Sequence, residues 1–242
     1  MSRSARAPQP VGPVGQVPGP PARPAAEHRA GQHDAGEHDA DDLFFAQLQA
    51  ACPSYDRVTA QRLHRRLETD AEREGLIEVA YRRIDSAVGP LLLAATTVGV
   101  VRVAFAVEDH DRVLAELAVR IGPRIIEAPA RLDELSRQLD AYFDRRIDRF
   151  ELTVDFRLAG GFRREVLQFL ATTAYGCTYS YAEIADAVGR PRAARAVGTA
   201  CARNPVPLVV PCHRVVRSDG SPGGYLGGAT AKALLLGLEA QR

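Results

Sequence analysis

The hydrophobic residues of this chain are distributed unevenly, and large apolar side chains become frequent only after about residue 42. Residues 1–42 consist mainly of Pro, Gly, Ala and charged residues. A segment of this composition cannot bury enough apolar surface to offset the entropy lost on ordering. We therefore predict that residues 1–42 form a disordered tail.

Helical spacing of apolar residues begins directly after this tail. Asp41 and Asp42 precede an apolar cluster, as polar residues at a helix start commonly do. Leu63 and Leu67 then stand four positions apart in a highly charged stretch that runs from Val58 to Glu74. The pattern predicts a helical appendage over residues 43–75.

Short runs rich in β-branched residues follow, and turn signals separate them. The predicted strands of an antiparallel meander are Ile77–Ile84, Leu91–Ala95 and Val100–Ala106. Helical periodicity and then strand-like alternation predict two helices and a last strand, which are Asp111–Ile121, Leu132–Phe143 and Phe150–Phe156. Residues 76–156 are expected to form a small α+β domain.

The pattern becomes helical over residues 157–242. Apolar residues share one face of a predicted helix over Phe162–Thr172, and Ser180 with Glu183 forms a capping-box pattern that starts the next helix. A turn and a helix over Ala193–Arg203 follow. This order is typical of a helix-turn-helix, although an ordinary helical hairpin gives the same pattern. The helix-turn-helix is favoured by a face of small residues that would let a partner approach closely, namely Ala194, Val197, Gly198 and Cys201.

Composition limits where the protein acts and which cofactors it holds. No uncharged apolar run approaches the roughly 20 residues of a membrane helix, and the N-terminus leads into Pro and Gly rather than an apolar signal sequence. We expect a cytoplasmic protein with no membrane partner. The four cysteines lack paired metal-ligand spacing and are expected to be free thiols: Cys52, Cys177, Cys201 and Cys212.

Charge is balanced overall but not locally. The segment Arg157–Arg242 carries eleven Lys and Arg against five Asp and Glu, whereas the whole chain carries 31 against 30. Such an excess favours an anionic partner, nucleic acid first, although a solvated basic face is an alternative.

The stretch Pro211–Val216 places a cysteine beside a histidine, after an apolar run over Val206–Val210 that is typical of a buried strand. A thiol is nucleophilic as the thiolate, which is favoured when an imidazole takes its proton and an acid holds the imidazolium. Neighbours on an extended segment point to opposite faces, so His213 would reach Cys212 through a turn or a bridging water. We interpret Cys212 as a nucleophile, and a core cysteine beside a solvent-facing histidine is the alternative.

Several motifs, in this order and spacing, resemble the O6-alkylguanine-DNA alkyltransferases, also called methylated-DNA–protein-cysteine methyltransferases. The motifs are Ser180–Tyr181, Arg192–Gly198, Arg203–Pro207, Pro211–Val215 and Gly223–Gly228. The resemblance is close over residues 162–239 and weaker over residues 75–156. It implies an α+β fold with a small ribonuclease-H-like N-terminal domain over residues 76–156. A mostly helical, winged-helix-like C-terminal domain with the helix-turn-helix would span residues 157–242.

The resemblance assigns the chemistry to four residues. Cys212 would accept the alkyl group, His213 would act as a base through a water, and Glu239 would orient His213. Asn204 would brace the turn that carries these groups. No cofactor is implied.

The resemblance also assigns residues to the DNA and the damaged base. Arg195 would occupy the gap left when the guanine rotates out of the duplex. Tyr181 would press on the target phosphate and help to protonate the leaving guanine. The expected lining of the base pocket is Tyr225, the Leu226 backbone and Lys232. Further expected DNA contacts are Arg163, Arg190 and Ser218.

The implied substrate is double-stranded DNA that contains O6-alkylguanine, or O4-alkylthymine, bound through its minor groove by a monomer. A base inside a duplex cannot present its O6 substituent to a nucleophile, so it must be extruded. The small-faced helix suits the minor groove, where close approach and an inserted side chain matter most. Because the S-alkylcysteine product has no good leaving group, each molecule would react once.

Some members of the family hold a structural zinc, but the corresponding region offers only Cys52, His64 and His110, too few for a closed tetrahedral site, so we expect no metal. Leu226 stands where several relatives have a small or polar residue, which argues against a side-chain hydrogen bond to the guanine.

One alternative function is that of a lesion-recognition module, although such proteins lack the cysteine. The other is a Cys-His-Glu thiol hydrolase, which leaves Arg195 and the basic segment unexplained.

Overall fold

A computed structural model of the chain describes residues 56–241, so the predicted tail over residues 1–42 and the predicted helix start at Asp41 lie outside it. The first described element is helix α1, Arg57–Arg73, as the spacing of Leu63 and Leu67 predicts. Asp56 caps it by accepting a hydrogen bond from the Thr59 N–H at 2.6 Å. Both leucines are exposed. The helix is attached through Ala71, which packs on a small buried cluster that includes Ile77, and through the His64 ring, which lies 2.7 Å from the Glu127 carbonyl oxygen.

The predicted meander is confirmed. Strands β1 (Val79–Ile84), β2 (Leu91–Ala95) and β3 (Val100–Phe105) pair antiparallel in chain order. Every residue of β2 is buried, which places the centre of the sheet inside the molecule. Helix α2 (His110–Arg120) then leads to a short strand β4 (Ile125–Glu127), which pairs parallel to β1 and gives the strand order β3-β2-β1-β4. The sequence pattern did not predict β4, because three residues are too few to show an alternation.

Helix α3 spans Asp133–Phe143, close to its predicted bounds, but the strand predicted over Phe150–Phe156 is wrong. A single bridge joins Val154 to Val100, and a short 3-10 helix over Phe156–Leu158 follows. The carboxylate of Asp155 ends the pairing, because it accepts hydrogen bonds from Thr96 Oγ1 at 2.6 Å and from the Arg157 N–H at 3.1 Å. The alternating apolar side chains of this segment pack on the core without a strand ladder.

Four helices dominate the C-terminal part. They are α4 (Gly161–Leu170), α5 (Tyr181–Ala187), α6 (Ala194–Ala202) and α7 (Gly228–Ala240). Two short parallel strands, β5 (Tyr179–Ser180) and β6 (Val215–Val216), lie among them. The predicted capping box is present, since the Glu183 N–H donates to Ser180 Oγ at 3.2 Å and the Ser180 N–H donates to the Glu183 carboxylate at 2.6 Å.

One hydrophobic core includes buried residues from both sides of the predicted domain boundary at residue 157, for example Leu93, Tyr142, Val166 and Val210. The sheet also contacts the segment before the Cys-His pair directly, because the Val103 N–H donates to the Pro205 carbonyl oxygen at 2.9 Å. The mixed α+β architecture is confirmed. The ribonuclease-H-like and winged-helix-like descriptions and the domain boundaries stay predictions.

Candidate active site

The strand predicted over Val206–Val210 is wrong, although all five residues are buried. This segment is a turn in which the Val210 N–H donates to the Val206 carbonyl oxygen at 2.9 Å. Pro207 lacks the N–H that a strand ladder needs, and Leu208 adopts a left-handed backbone conformation with φ 73°. The chain therefore reverses here and presents Cys212 from the end of a buried turn.

Asn204 holds this turn together from inside. Its side-chain oxygen accepts a hydrogen bond from the Val206 N–H at 3.0 Å, and its Nδ2 donates to the Val210 carbonyl oxygen at 2.9 Å. The same Nδ2 lies 3.1 Å from Cys212 Sγ and donates to it. The one amide thus fixes the turn and contacts the sulfur.

Cys212 begins a 3-10 helix over Cys212–Arg214 and is 3% exposed. Burial raises the pKa of the Cys212 thiol to about 11, although the hydrogen bond from Asn204 and the positive charge of Lys232 act in the opposite direction. At neutral pH the sulfur is therefore protonated in the free protein. A nearby base has to take the proton when the sulfur reacts.

The carboxylate of Glu239, on α7, accepts hydrogen bonds from the polar groups behind Cys212. It is 3% exposed, and five donor contacts reach it. The contacts to Oε1 come from Tyr142 Oη (2.7 Å), His213 Nε2 (2.9 Å) and Arg214 Nη2 (2.9 Å). Those to Oε2 come from Arg214 Nε (2.9 Å) and the Gly176 N–H (3.0 Å). Burial alone would raise the pKa of Glu239, but the hydrogen bonds from His213 and Arg214 outweigh it and hold the pKa well below its usual range.

The ionised carboxylate fixes which ring nitrogen of His213 carries the proton. A carboxylate only accepts, so we assign the proton of the neutral ring to Nε2, which faces Glu239. Nδ1 is then an acceptor, and within residues 56–241 this buried atom has no hydrogen-bond partner. Burial lowers the pKa of His213 despite the neighbouring carboxylate. The ring is neutral at pH 7 and offers one free basic nitrogen.

Two further side chains surround the Cys-His pair. Lys232 is buried and donates from Nζ to the Val215 carbonyl oxygen at 2.6 Å, and burial lowers its pKa. The ring of Tyr225 lies edge-on to His213, with centroids 6.2 Å apart. The buried Tyr225 hydroxyl has no partner in the described part of the chain. Leu226, which follows it, packs partly buried on the core.

Tyr181 is the first residue of α5 and rests against two glycines. A Cβ at Gly223 would lie 2.2 Å from the Tyr181 hydroxyl, and one at Gly198 would lie 3.7 Å from its ring. Burial raises the pKa of the Tyr181 phenol. The absence of a side chain at Gly223 is what leaves room for the hydroxyl.

The predicted small-residue face of α6 is only partly available to a partner. Val197 and Cys201 are buried, because they face the core between α6 and its neighbours, which corrects the expectation that they form an outer surface. Gly198 lies beside Tyr181. Arg195 is exposed on α6, and its guanidinium has no hydrogen bond or ion pair within residues 56–241.

The other predicted DNA contacts lie in different surroundings. Ser218 is exposed in the turn after β6, and Arg190 is exposed with its guanidinium 4.0 Å from Glu165. Arg163 is half-buried and donates to the Leu158 carbonyl oxygen at 2.6 Å. Its side chain lines a cavity of about 230 Å³ with three further arginines, which are Arg102, Arg120 and Arg203.

A comparison with known proteins shows to which family this chain belongs. A methylated-DNA–protein-cysteine methyltransferase of Methanosarcina barkeri is 38% identical over 159 residues, which cover 66% of this chain and 96% of that protein. The chain belongs to this methyltransferase family. The protein of the same name from Mycobacterium leprae is 40% identical over 167 residues, which cover 65% of this chain and 90% of that protein.

Two further findings agree with membership of the methyltransferase family. The family described as the DNA-binding domain of 6-O-methylguanine DNA methyltransferase matches residues 161–241. A crystal structure of Mycobacterium tuberculosis OGT in complex with DNA superimposes with a TM-score of 0.59 at 38% identity. That similarity covers 66% of this chain and 92% of the other. The resemblance stated from the motifs is therefore confirmed.

In this methyltransferase, four predicted residues come together around one turn: Asn204, Cys212, His213 and Glu239. Within the described residues, no hydrogen bond joins His213 to the Cys212 sulfur. Sequence reasoning missed Arg214 and Tyr142. A signal for Arg214 existed, because an arginine inside an apolar run needs a buried anionic partner. No local pattern marks Tyr142, which lies 97 positions before Glu239.

Two properties of the described region concern the predicted partners. No helix within residues 56–241 combines the length and apolarity needed to cross a bilayer. Within the same range, no cluster of three His, Cys, Asp or Glu side chains is arranged to hold a metal ion. The predicted candidate Cys52 lies outside the described residues.

Proposed function

We propose that this methyltransferase removes the alkyl group from O6-alkylguanine, and from O4-alkylthymine, in double-stranded DNA by transferring it to Cys212 Sγ. The observation that carries the proposal is the buried Glu239–His213 pair behind a buried thiol, with His213 Nδ1 unpartnered among the described residues. This arrangement supplies a base for a sulfur whose pKa of about 11 keeps it protonated at neutral pH.

The reaction is a displacement at the alkyl carbon. His213 Nδ1 takes the Cys212 proton through a water, and Glu239 stabilises the imidazolium. Sγ then forms a bond to the alkyl carbon while the bond from that carbon to O6 breaks. The departing guanine takes a proton from the Tyr181 hydroxyl, which solvent replenishes.

The product is S-alkylcysteine. A thioether is neutral and has no good leaving group, so water does not regenerate the thiol. The methyltransferase is then a stoichiometric acceptor, and each molecule repairs one base. No cofactor takes part in the step.

The DNA side of the reaction uses the exposed part of α6 and its surroundings. The free guanidinium of exposed Arg195 is suited to enter the minor groove and fill the gap left by the extruded base. Tyr181 lies at the start of α5, beside Gly198 of α6. Tyr225, the Leu226 backbone and Lys232 would line the base pocket. Arg190 and Ser218 are exposed and would contact phosphates, as Arg163 would after its side chain turns outward.

The decisive experiment is the mass of the protein after incubation with duplex DNA that contains O6-methylguanine. We expect one added methyl group, located on the peptide that contains Cys212, and none in Cys212→Ser. The exposed Cys177 provides a matched control, because Cys177→Ser should react like the wild type.

The same experiment distinguishes the alternatives. Tight lesion binding without a mass change would identify a recognition module. Repeated turnover of an acyl substrate with an unmodified protein would identify a thiol hydrolase. Either result contradicts alkyl transfer.

A further inference from the structure

The part of the chain before the predicted boundary at residue 157 contributes a donor to the active-site carboxylate. Tyr142 is the penultimate residue of α3, and its hydroxyl donates to Glu239 Oε1 at 2.7 Å. The same hydroxyl lies 3.5 Å from His213 Nε2. Tyr142 therefore touches both the acid and the base from outside the segment that carries the Cys-His motif.

The Tyr142 ring is buried among three aromatic neighbours. Tyr142 is 1% exposed. Its ring lies 5.6 Å from that of Phe143, 5.2 Å from that of Phe150 and 6.1 Å from that of Tyr175, measured between centroids. A buried phenol held on several sides orients its hydrogen bond rigidly.

Three donors share Glu239 Oε1, which are Tyr142, His213 and Arg214. All three hydrogen bonds go to the same oxygen, so the hydrogen bond from the Tyr142 hydroxyl weakens the interaction of that oxygen with His213. It also prevents the carboxylate from rotating away from the ring. Loss of the hydroxyl would make His213 more basic and its orientation less defined.

We propose that Tyr142 is a positioning residue for alkyl transfer, which acts through Glu239 to fix the His213 ring and to limit its basicity. The inference rests on the proposed function. Through Tyr142, the part of the chain before residue 157 then takes part in the reaction, in addition to packing against the segment that carries Cys212.

Other groups also act on the His213 ring, and they stay in place when the hydroxyl is removed. The charged and titratable groups around the ring, from every packed element, are Tyr142, Cys212, Arg214, Tyr225, Lys232 and Glu239. Arg214 and Lys232 lower the pKa of His213, whereas Glu239 raises it. A change in the pH dependence of Tyr142→Phe then reports the hydroxyl alone.

The test compares wild type, Tyr142→Phe and Tyr175→Phe in the full chain. Tyr175 is a matched control, because its ring packs on Tyr142 while its hydroxyl donates to the Leu238 carbonyl oxygen at 3.4 Å. The readouts are the rate constant of Cys212 alkylation by free O6-benzylguanine across pH and the melting temperature. We expect Tyr142→Phe to react about tenfold more slowly at neutral pH. Its acidic limb should move to higher pH, and Tyr175→Phe should match the wild type within about twofold.

A double-mutant cycle with Glu239→Gln separates positioning from stability. If Tyr142 acts through the carboxylate, Tyr142→Phe should slow the reaction much less in the Glu239→Gln background. The inference is overturned if Tyr142→Phe reacts like Tyr175→Phe, if its rate falls by the same factor at every pH, or if the two substitutions act additively. A wild-type protein that does not react at all would instead contradict the proposed function. If Tyr142→Phe does not fold, Tyr142→Met, which also lacks the donor, is measured in the same cycle, and we expect the same slower rate and the same shift of the acidic limb.

Discussion

Arg214 is the residue whose removal tests the buried network most directly. Its guanidinium donates twice to Glu239, from Nε and Nη2, both at 2.9 Å. Nη1 donates to the Thr173 carbonyl oxygen at 2.5 Å, so the same side chain also joins the 3-10 helix to the segment after α4. Arg214→Met keeps an unbranched apolar stem that reaches about as far as Nε, and it removes the charge and all of these hydrogen bonds.

The expected loss of stability depends on the groups that still surround Glu239 when the Arg214 guanidinium is removed. Removing one partner of a buried ion pair costs about 3–5 kcal/mol, because the other charge stays buried without compensation. Three donors still reach Glu239 in the variant, from Tyr142, His213 and the Gly176 N–H. We therefore expect a loss of stability at the low end of this range, about 3 kcal/mol. For a protein of this size the melting temperature should fall by about 6–12 °C.

The dependence of this loss on pH gives a second check. In the folded protein the pKa of Glu239 lies below its usual value, so its stabilising contribution is complete above the unfolded value of about 4.3. That contribution is lost as the pH falls through the lower folded pKa. Arg214→Met shrinks the lowering, so the stability difference between wild type and variant should widen as the pH rises to about 5 and stay nearly constant from there to neutral pH.

The assay is urea unfolding of wild type, Arg214→Met, Glu239→Gln and the double variant. Glu239→Gln alone leaves the Arg214 guanidinium buried without its anion, whereas in the double variant no charge is left unpaired, so the double variant should be at least as stable as Glu239→Gln. A loss of less than about 1 kcal/mol in the free energy of unfolding of Arg214→Met, or additive effects of the two substitutions, would contradict a stabilising buried ion pair.

Three further predictions concern the DNA side of the site. Arg195→Ala should slow repair of O6-methylguanine in duplex DNA and leave the reaction with free O6-benzylguanine unchanged, and an equal loss on both substrates would contradict the inserted-arginine role. Gly223→Ala should displace the Tyr181 hydroxyl and slow transfer from DNA about tenfold while the circular dichroism spectrum is kept, because the new Cβ would lie 2.2 Å from that oxygen. Ser180→Ala removes one half of the capping box and should lower stability by about 1 kcal/mol, measured by urea unfolding. An unchanged stability would mean that the hydrogen bond from the residue 180 N–H to the Glu183 carboxylate is enough to cap the helix.

Local patterns determined much of the fold. The meander, helices α1 to α6 and the Ser180 cap follow from periodicity and capping chemistry, which depend on neighbours within a few positions. The failures were the segments over Val206–Val210 and Phe150–Phe156. Both look like strands, but a left-handed residue and an asparagine shape the first, and an aspartate ends the second.

Short motifs identified the Cys-His pair and the family, because their residues lie close together in the sequence, and the resemblance to that family pointed to the acid at Glu239, 26 positions after His213. The groups that surround that acid are seen only in the folded protein. Tyr142 and Arg214 reach Glu239 from separate parts of the chain, and the ionised carboxylate that they contact fixes the tautomer of His213, with Nδ1 unprotonated. A buried carboxylate accepts hydrogen bonds from the side chains that the fold brings within reach. No local periodicity in the sequence predicts which side chains these are.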